Sequence, residues 1–170
     1  MTAFYRGLLQ PTETAAWDST IVFSLAVGIC SSVIAIAWGF GLEYLVPKNR
    51  WGDSAASGLA SMSVAVVFVY GVIFAPLFET LVGQALPIEL AKKFTDSKAI
   101  MIAVSGAVFG IGHYINGGVV HGLTALLHGS FFASSFVVAR KGGFQYGFAF
   151  AALTHAVHNA ILLSIELTFT

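Results

Sequence analysis

Residues 101–114 read MIAVSGAVFGIGHY, an apolar run without a charged residue that brings a histidine to its C-terminal end. The run lies between Lys98 and the triplet Asn116-Gly117-Gly118, whose residue types favour a turn. A membrane-spanning helix needs about 20 apolar residues, so residues 99–115 are short for a complete crossing. We therefore predict a helix that is tilted or that ends in a shielded, partly polar pocket, followed by a turn.

The rest of the chain has the same apolar character. Of its 170 residues, 57% are hydrophobic and 9% are charged, and the mean hydropathy is +0.85. Soluble domains carry about 25% charged residues, so the composition predicts an integral, multi-pass membrane protein. Four further stretches complete an all-α bundle of about five transmembrane helices: residues 21–46, 55–93, 119–139 and 142–167. We expect one transmembrane domain over residues 21–170, preceded by an interfacial segment, residues 1–20, with aromatic anchors.

The basic residues predict how the chain is oriented in the bilayer. With five crossings, one face carries only Lys48 and Arg50, and the other carries six basic residues: Arg6, Lys92, Lys93, Lys98, Arg140 and Lys141. The positive-inside rule then places the N-terminus in the cytoplasm. The net charge is zero, which argues against a nucleic-acid partner and leaves the lipid bilayer as the expected surroundings. The single cysteine, Cys30, cannot form an internal disulfide.

Three polar clusters interrupt the apolar segments, and each costs on the order of several kcal/mol in a membrane unless it is paired or used. Their members are Glu79 with Thr80 and Gln84, His113 four residues after Phe109, and His155 with Asn159. At a rise of 1.5 Å per residue, Glu79, His113 and His155 lie roughly 20, 22 and 21 Å from the basic ends of their helices. We therefore predict that the three clusters meet at one depth, near or just beyond the bilayer centre.

Helix periodicity and backbone chemistry refine this picture. His155 and Asn159 are four residues apart and share one helix face, as do Phe109 and His113. Pro76 cannot donate a backbone hydrogen bond and is expected to kink the helix beside the carboxylate. The remaining histidines are interpreted as packed residues: His121 at the membrane interface, His128 as a neighbour that supports the site, and His158 on a different face from Asn159.

The clustered side chains are compatible with three kinds of chemistry. Glu79 with His113 can activate a water molecule, while His155 and Asn159 donate hydrogen bonds to an oxyanion. Alternatively, Glu79, His113 and His155 can bind Zn²⁺ with a water in the open position, although the sequence has no HExxH motif. The third alternative is a haem or ion-handling bundle, in which two histidines from facing helices ligate haem iron.

The order of these motifs resembles one protein family. Residues 76–84 read PLFETLVGQ, residues 109–113 read FGIGH, and residues 155–159 read HAVHN. This order resembles the CPBP intramembrane proteases, the CAAX-processing and bacteriocin-processing or Abi family, whose pattern is EExxxR, FxxxH and HxxxN on separate helices. The similarity spans about residues 70–165 and makes these residues a CPBP-like core.

The resemblance implies an intramembrane peptidase that cleaves a membrane-associated peptide or protein. Glu79 would activate the attacking water with help from His113, and His155 and Asn159 would polarise or stabilise the scissile carbonyl. Both a zinc-dependent and a metal-free glutamate mechanism suit this residue set, and we favour the metal-free one, with no cofactor. The sequence leaves the substrate and the oligomeric state open.

The first motif departs from the family pattern, because it reads ETxxxQ where the family has EExxxR. Thr80 stands in place of the second glutamate, and Gln84 stands in place of the arginine. We expect Thr80 and Gln84 to keep a neutral, hydrogen-bonded version of the same contact. The variant motif is compatible with an altered but working active site, and equally with an inactive member that serves as a membrane scaffold.

Overall fold

The computed structural model describes residues 13–52 and 61–169, and within these residues the regular structure is entirely helical. Four helices there are long and apolar enough to cross a membrane: Asp18–Leu45, Val64–Ala91, Lys98–Gly142 and Phe144–Thr168. The predicted all-α membrane bundle is thus confirmed. Of the predicted interfacial segment, residues 1–12 lie outside the described residues, as does the expected start of the second apolar stretch near residue 55.

Helix α1, Glu13–Leu45, is a continuous 33-residue helix. It begins before residue 21, so the last part of the predicted interfacial segment belongs to this helix. The chain leaves α1 through Pro47 and a short 3-10 turn, Lys48–Arg50. The indole nitrogen of Trp51 donates a hydrogen bond of 2.8 Å to the carbonyl of Val46, which satisfies an acceptor exposed by the end of the helix.

Helix α2, Val64–Ala91, widens into a π-helix at two places. Two π-helical segments, Tyr70–Phe74 and Thr80–Ala85, flank the short α-helical segment Ala75–Glu79. Each π segment is followed two residues later by a proline, Pro76 or Pro87, which has no N–H to donate to the preceding turn. The predicted irregularity beside Glu79 is therefore present, and it takes the form of widened turns.

Helix α3, Lys98–Ala139, contains one non-helical residue, Gly118, with φ 79° and ψ −172°. A positive φ is accessible to glycine at little cost, so the chain reverses there. The two halves, residues 98–117 (α3a) and 119–139 (α3b), lie against each other: a Cβ added to Gly110 would stand 2.9 Å from the carbonyl oxygen of Gly122. The predicted turn is confirmed, and the five predicted segments correspond to four helices, one of them folded back on itself.

Helix α4, Phe144–Phe169, lies at the centre of the bundle and contacts α1, α2 and α3. A core of buried apolar side chains fills one end of the bundle: Ala85, Ile88, Ala91, Met101, Ala133, Phe136, Val137 and Ala151. At the same end, the guanidinium of Arg140 forms a two-point ion pair with Glu89 of α2, in which Nη2 lies 3.2 Å from Oε2. We call this end, with Lys92, Lys93, Lys98, Arg140 and Lys141, the basic end.

Candidate active site

Three helices bring their polar side chains to one point. The Nε2 atom of His113, from α3a, lies 3.6 Å from Oε2 of Glu79 on α2. The Nε2 atom of His155, from α4, lies at the same distance of 3.6 Å from the same oxygen. The structure therefore brings together the three clusters that the equal depths predicted.

The orientation of His113 is set by its own helix. Its Nδ1 lies 2.9 Å from the carbonyl oxygen of Phe109, one turn earlier. A neutral imidazole that donates from Nδ1 has a lone pair on Nε2, and here that lone pair faces Glu79. The Nε2–Oε2 distance is longer than a direct hydrogen bond, so both atoms remain available as acceptors for a water molecule beside them.

His155 is held by packing rather than by hydrogen bonds. Its side chain is 3% exposed, and its ring stacks on Phe132 at a centroid distance of 4.2 Å and meets the edge of Phe109 at 5.6 Å. Its Nδ1 makes no hydrogen bond to the part of the chain that the structure describes. Two aromatic rings thus aim its Nε2 at the carboxylate.

Phe109 occupies a slot that only glycines leave open. A Cβ added to Gly83 of α2 would lie 2.5 Å from Cδ2 of Phe109, and one added to Gly129 of α3b would lie 2.7 Å from its Cβ. The ring also packs edge-on against Phe132 at 5.8 Å. The phenylalanine of FxxxH therefore anchors the helix turn whose carbonyl orients His113.

Asn159 binds the backbone of α2 beside the carboxylate. Its Nδ2 donates a 2.8 Å hydrogen bond to the carbonyl oxygen of Gly71. That oxygen lacks a helical donor, because the N–H of Ala75 bonds to Tyr70 in the π turn and Pro76 has no N–H. The tether uses one of the two amide N–H groups of Asn159, which leaves the second for a ligand in the cavity.

The contact expected between Thr80 and Gln84 is not formed, so this prediction was wrong. Both residues are fully buried, and neither side chain makes a hydrogen bond to any of the described residues.

Three further histidines belong to the same cavity. It has a volume of about 410 Å³, and its polar lining residues are Tyr70, Glu79, His113, His121, Thr124, His128, His155, His158, Asn159 and Glu166. His121, which we expected at the membrane interface, packs against His113 with a ring distance of 5.0 Å. The ring of His128 lies 4.5 Å from that of His158, whose Nδ1 is 3.4 Å from the hydroxyl of Ser32.

The sequence contains a pattern that connects these histidines with the cavity. His121, Thr124, His128 and Phe132 recur at spacings of three and four, which place them on one face of a helix. His158 follows His155 by three residues, so it lies near the same face. Each histidine taken singly is typical of a packed residue, and the shared helix face is the feature that connects them.

The alternatives to a metal-free site can be compared with this geometry. One carboxylate and two imidazoles are donor types that zinc accepts, but no group of His, Cys, Asp or Glu within residues 13–52 and 61–169 has the arrangement of a metal site. For haem, His113 and His155 would have to stand on opposite faces of a planar macrocycle. Both instead point at one carboxylate oxygen, which argues against haem ligation by this pair.

Comparison with known proteins decides the family. The model of the Rce1-like type II CAAX prenyl endopeptidases matches residues 60–161. The chain belongs to this family. The matched region of this Rce1-like protein contains Glu79, His113, His155 and Asn159, and the family is one of membrane proteases, as the motif order indicated. No curated protein and no solved structure matches the chain.

Proposed function

We propose that this Rce1-like protein is an intramembrane endopeptidase that hydrolyses a peptide bond of a membrane-associated protein or peptide. The proposal depends above all on the position of Glu79, whose Oε2 lies 3.6 Å from each of two imidazole nitrogens. The three groups lie along a cavity large enough for a few residues of an extended substrate. Membership of a protease family supports the reaction type.

The proposed reaction begins with a water molecule between Glu79 and His113. One O–H donates to the carboxylate and the other to the Nε2 lone pair of His113, which orients the oxygen towards the substrate carbonyl. As the new C–O bond forms, Glu79 accepts the proton of the water. The tetrahedral oxyanion accepts hydrogen bonds from Nε2–H of His155 and from the free amide N–H of Asn159. Glu79 then returns the proton to the leaving nitrogen as the C–N bond breaks.

The expected orientation belongs to the same proposal. Lys92, Lys93, Lys98, Arg140 and Lys141 lie at one end of the bundle, whereas Lys48 and Arg50 lie at the other. The bias towards basic residues in cytoplasmic loops then places the basic end and the N-terminus in the cytoplasm.

An inactive membrane scaffold is the second candidate function. The observation that favours it is the replacement of two charged family residues by Thr80 and Gln84, which stay buried and form no hydrogen bond with the described residues. The variant Glu79→Gln separates the two functions, because it keeps the shape of the side chain and removes the base. If the protein is an endopeptidase, its cleavage products are absent in this variant. If it is a scaffold, the variant retains the function of the wild type.

A further inference from the structure

A second concavity lies on the outer surface of the bundle, where the end of α2 packs against the start of α3a. It is lined by residues from 86–95 on one side and from 100–108 on the other, and we call it the surface groove. Its volume is about 620 Å³, which is within the range of about 300–1,000 Å³ that is usual for ligand sites. The surface groove and the cavity at Glu79 have no described lining residue in common.

The two walls of the surface groove consist of apolar side chains four residues apart, a spacing that keeps them on one side of a helix. The walls are Leu86, Leu90 and Phe94 on α2 and the turn after it, and Ile100, Val104 and Val108 on α3a. These six side chains are 38–82% exposed, whereas Pro87 and Ala91 are buried and form the floor. Among the described lining residues, only Thr95 has a polar side chain. The lining therefore suits a hydrocarbon chain.

The length of the surface groove matches one leaflet of a bilayer. Ile100 and Val108 are eight residues apart on α3a, which corresponds to roughly 12 Å along the helix. The hydrocarbon core of a bilayer is about 30 Å thick, so one leaflet contributes about 15 Å. The groove starts beside the turn at the basic end and runs towards the middle of the bundle. An acyl chain whose headgroup lies at the level of that turn therefore fits along it.

Positive charge surrounds the headgroup end of the surface groove. Residues 92–98 read KKFTDSK, with three lysines and one aspartate. Lys93 precedes the wall residue Phe94, and Lys98 lies two residues before Ile100. Both lysines are exposed, and neither forms an ion pair with any residue in the described parts of the chain. Because Asp96 offsets only one of the three positive charges, this turn attracts an anionic headgroup.

We propose that the surface groove binds an anionic phospholipid, with an acyl chain between its walls and the phosphate beside Lys93 and Lys98. The lipid is a bound component of the membrane and not a substrate, since the groove is separate from the cavity at Glu79. It contacts both α2 and α3a, the helices that carry Glu79 and His113, and it stabilises their packing. The inference does not depend on the proposed peptidase activity.

Lipid retention by the purified full-length protein tests this site without an assay of cleavage. The protein is equilibrated with equal amounts of phosphatidylglycerol and phosphatidylcholine that have identical acyl chains, and the bound lipids are identified by native mass spectrometry. The double variant Lys93→Gln, Lys98→Gln removes the charges at the groove. The matched control is the double variant Lys48→Gln, Arg50→Gln, which removes two exposed charges at the other end of the bundle.

We expect the wild type to retain phosphatidylglycerol about fivefold or more over phosphatidylcholine, because a lysine at headgroup level changes the affinity for an anionic lipid by about that factor. Lys93→Gln, Lys98→Gln should retain the two lipids almost equally, whereas the control should keep the preference of the wild type. Equal retention of both lipids by the wild type, or the same loss of preference in both double variants, would overturn the proposal.

A second pair of variants tests the place of the acyl chain. Val104→Trp fills the surface groove, and Ile111→Trp adds the same bulk at an exposed position of α3a outside it. We expect Val104→Trp to retain less of both lipids and to lose the rise in melting temperature that phosphatidylglycerol gives the wild type, since a ligand of the folded state stabilises it. Ile111→Trp should behave as the wild type. If the two tryptophan variants retain equal amounts of lipid, the chain does not lie in the groove and the proposal is wrong.

Discussion

At the residue scale, the proposed mechanism depends on His113, whose two ring nitrogens have separate tasks. Nδ1 is bound to the carbonyl of Phe109 at 2.9 Å, and Nε2 faces Glu79 at 3.6 Å. In His113→Asn, the amide nitrogen can replace Nδ1, but nothing replaces Nε2. We expect the cleavage rate to fall about 10²-fold or more, with a melting temperature close to that of the wild type. A rate within twofold of the wild type would show that His113 does not orient the water.

The buried pair of neutral residues gives a second residue-scale prediction. Thr80→Glu or Gln84→Arg alone places an unpaired charge at a fully buried position, and we expect each to lower the free energy of unfolding by about 3 kcal/mol or more. The double variant restores the family's glutamate and arginine and should recover part of that loss. A double-mutant cycle on the free energy of unfolding in lipid or detergent measures the coupling between the two positions. A coupling energy of zero would contradict the prediction that the glutamate and the arginine stabilise each other.

At the scale of the element, the proline and the π-helical turn of α2 act together. Pro76 cannot donate a hydrogen bond to Gly71, which leaves that carbonyl free for Asn159. In Pro76→Ala the new N–H competes with Asn159 for the same oxygen. We expect the cleavage rate to fall about 10- to 100-fold, since a small displacement of a catalytic group has effects of this size, while the protein remains folded. Asn159→Asp removes both amide N–H groups, so we expect its cleavage rate to be at least as low as that of Pro76→Ala.

The approach of α3a and α3b gives an element-scale prediction with a matched control. An alanine at Gly129 would place its Cβ 2.7 Å from that of Phe109, whereas a Cβ at Gly112 meets nothing within 4 Å. We expect Gly129→Ala to move Phe109, and His113 with it, and to reduce cleavage and thermal stability together. Gly112→Ala should leave both unchanged. Equal behaviour of the two variants would mean that the helix contact does not position the site.

The elements show which features a sequence can predict. The shared depth of Glu79, His113 and His155 was predictable because the helix rise is constant and each helix has a basic end that serves as a reference. The π-helical pitch of Thr80–Ala85 was not predictable, because it depends on a proline and on contacts with other helices. The hydroxyl of Ser105, for example, donates a 2.7 Å hydrogen bond to the carbonyl of Gly83, whose usual helical donor is replaced by Pro87.

At the scale of the whole molecule, apolar side chains pack together at the basic end, and the cavity extends from the middle of the bundle towards the other end. This division follows from the distribution of side chains: alanine, isoleucine and phenylalanine are prominent in the packed region, whereas five histidines and two glutamates line the cavity. The family and the membrane bundle were predictable from motif order and composition. The membership of His121, His128 and His158 in the cavity required the packing of α3b against α4.

The metal-free mechanism makes a prediction for the whole protein. Glu79 and His113 suffice to activate water in the proposed reaction, so we expect cleavage by purified protein to be unchanged after treatment with a strong chelator. Added Zn²⁺ should not raise the rate. Activity that chelation abolishes and Zn²⁺ restores would show instead that Glu79, His113 and His155 are metal ligands.

The most direct test of the central claim compares cleavage products in membranes that contain the wild type, Glu79→Gln or Glu43→Gln. The control residue, Glu43, is an exposed glutamate of α1 that does not line the cavity. New N-termini of membrane proteins are quantified by mass spectrometry at matched levels of the three proteins. We predict a set of N-termini that is present with the wild type and Glu43→Gln and absent with Glu79→Gln. An identical set in all three samples would contradict the assignment of Glu79 as the base that activates water.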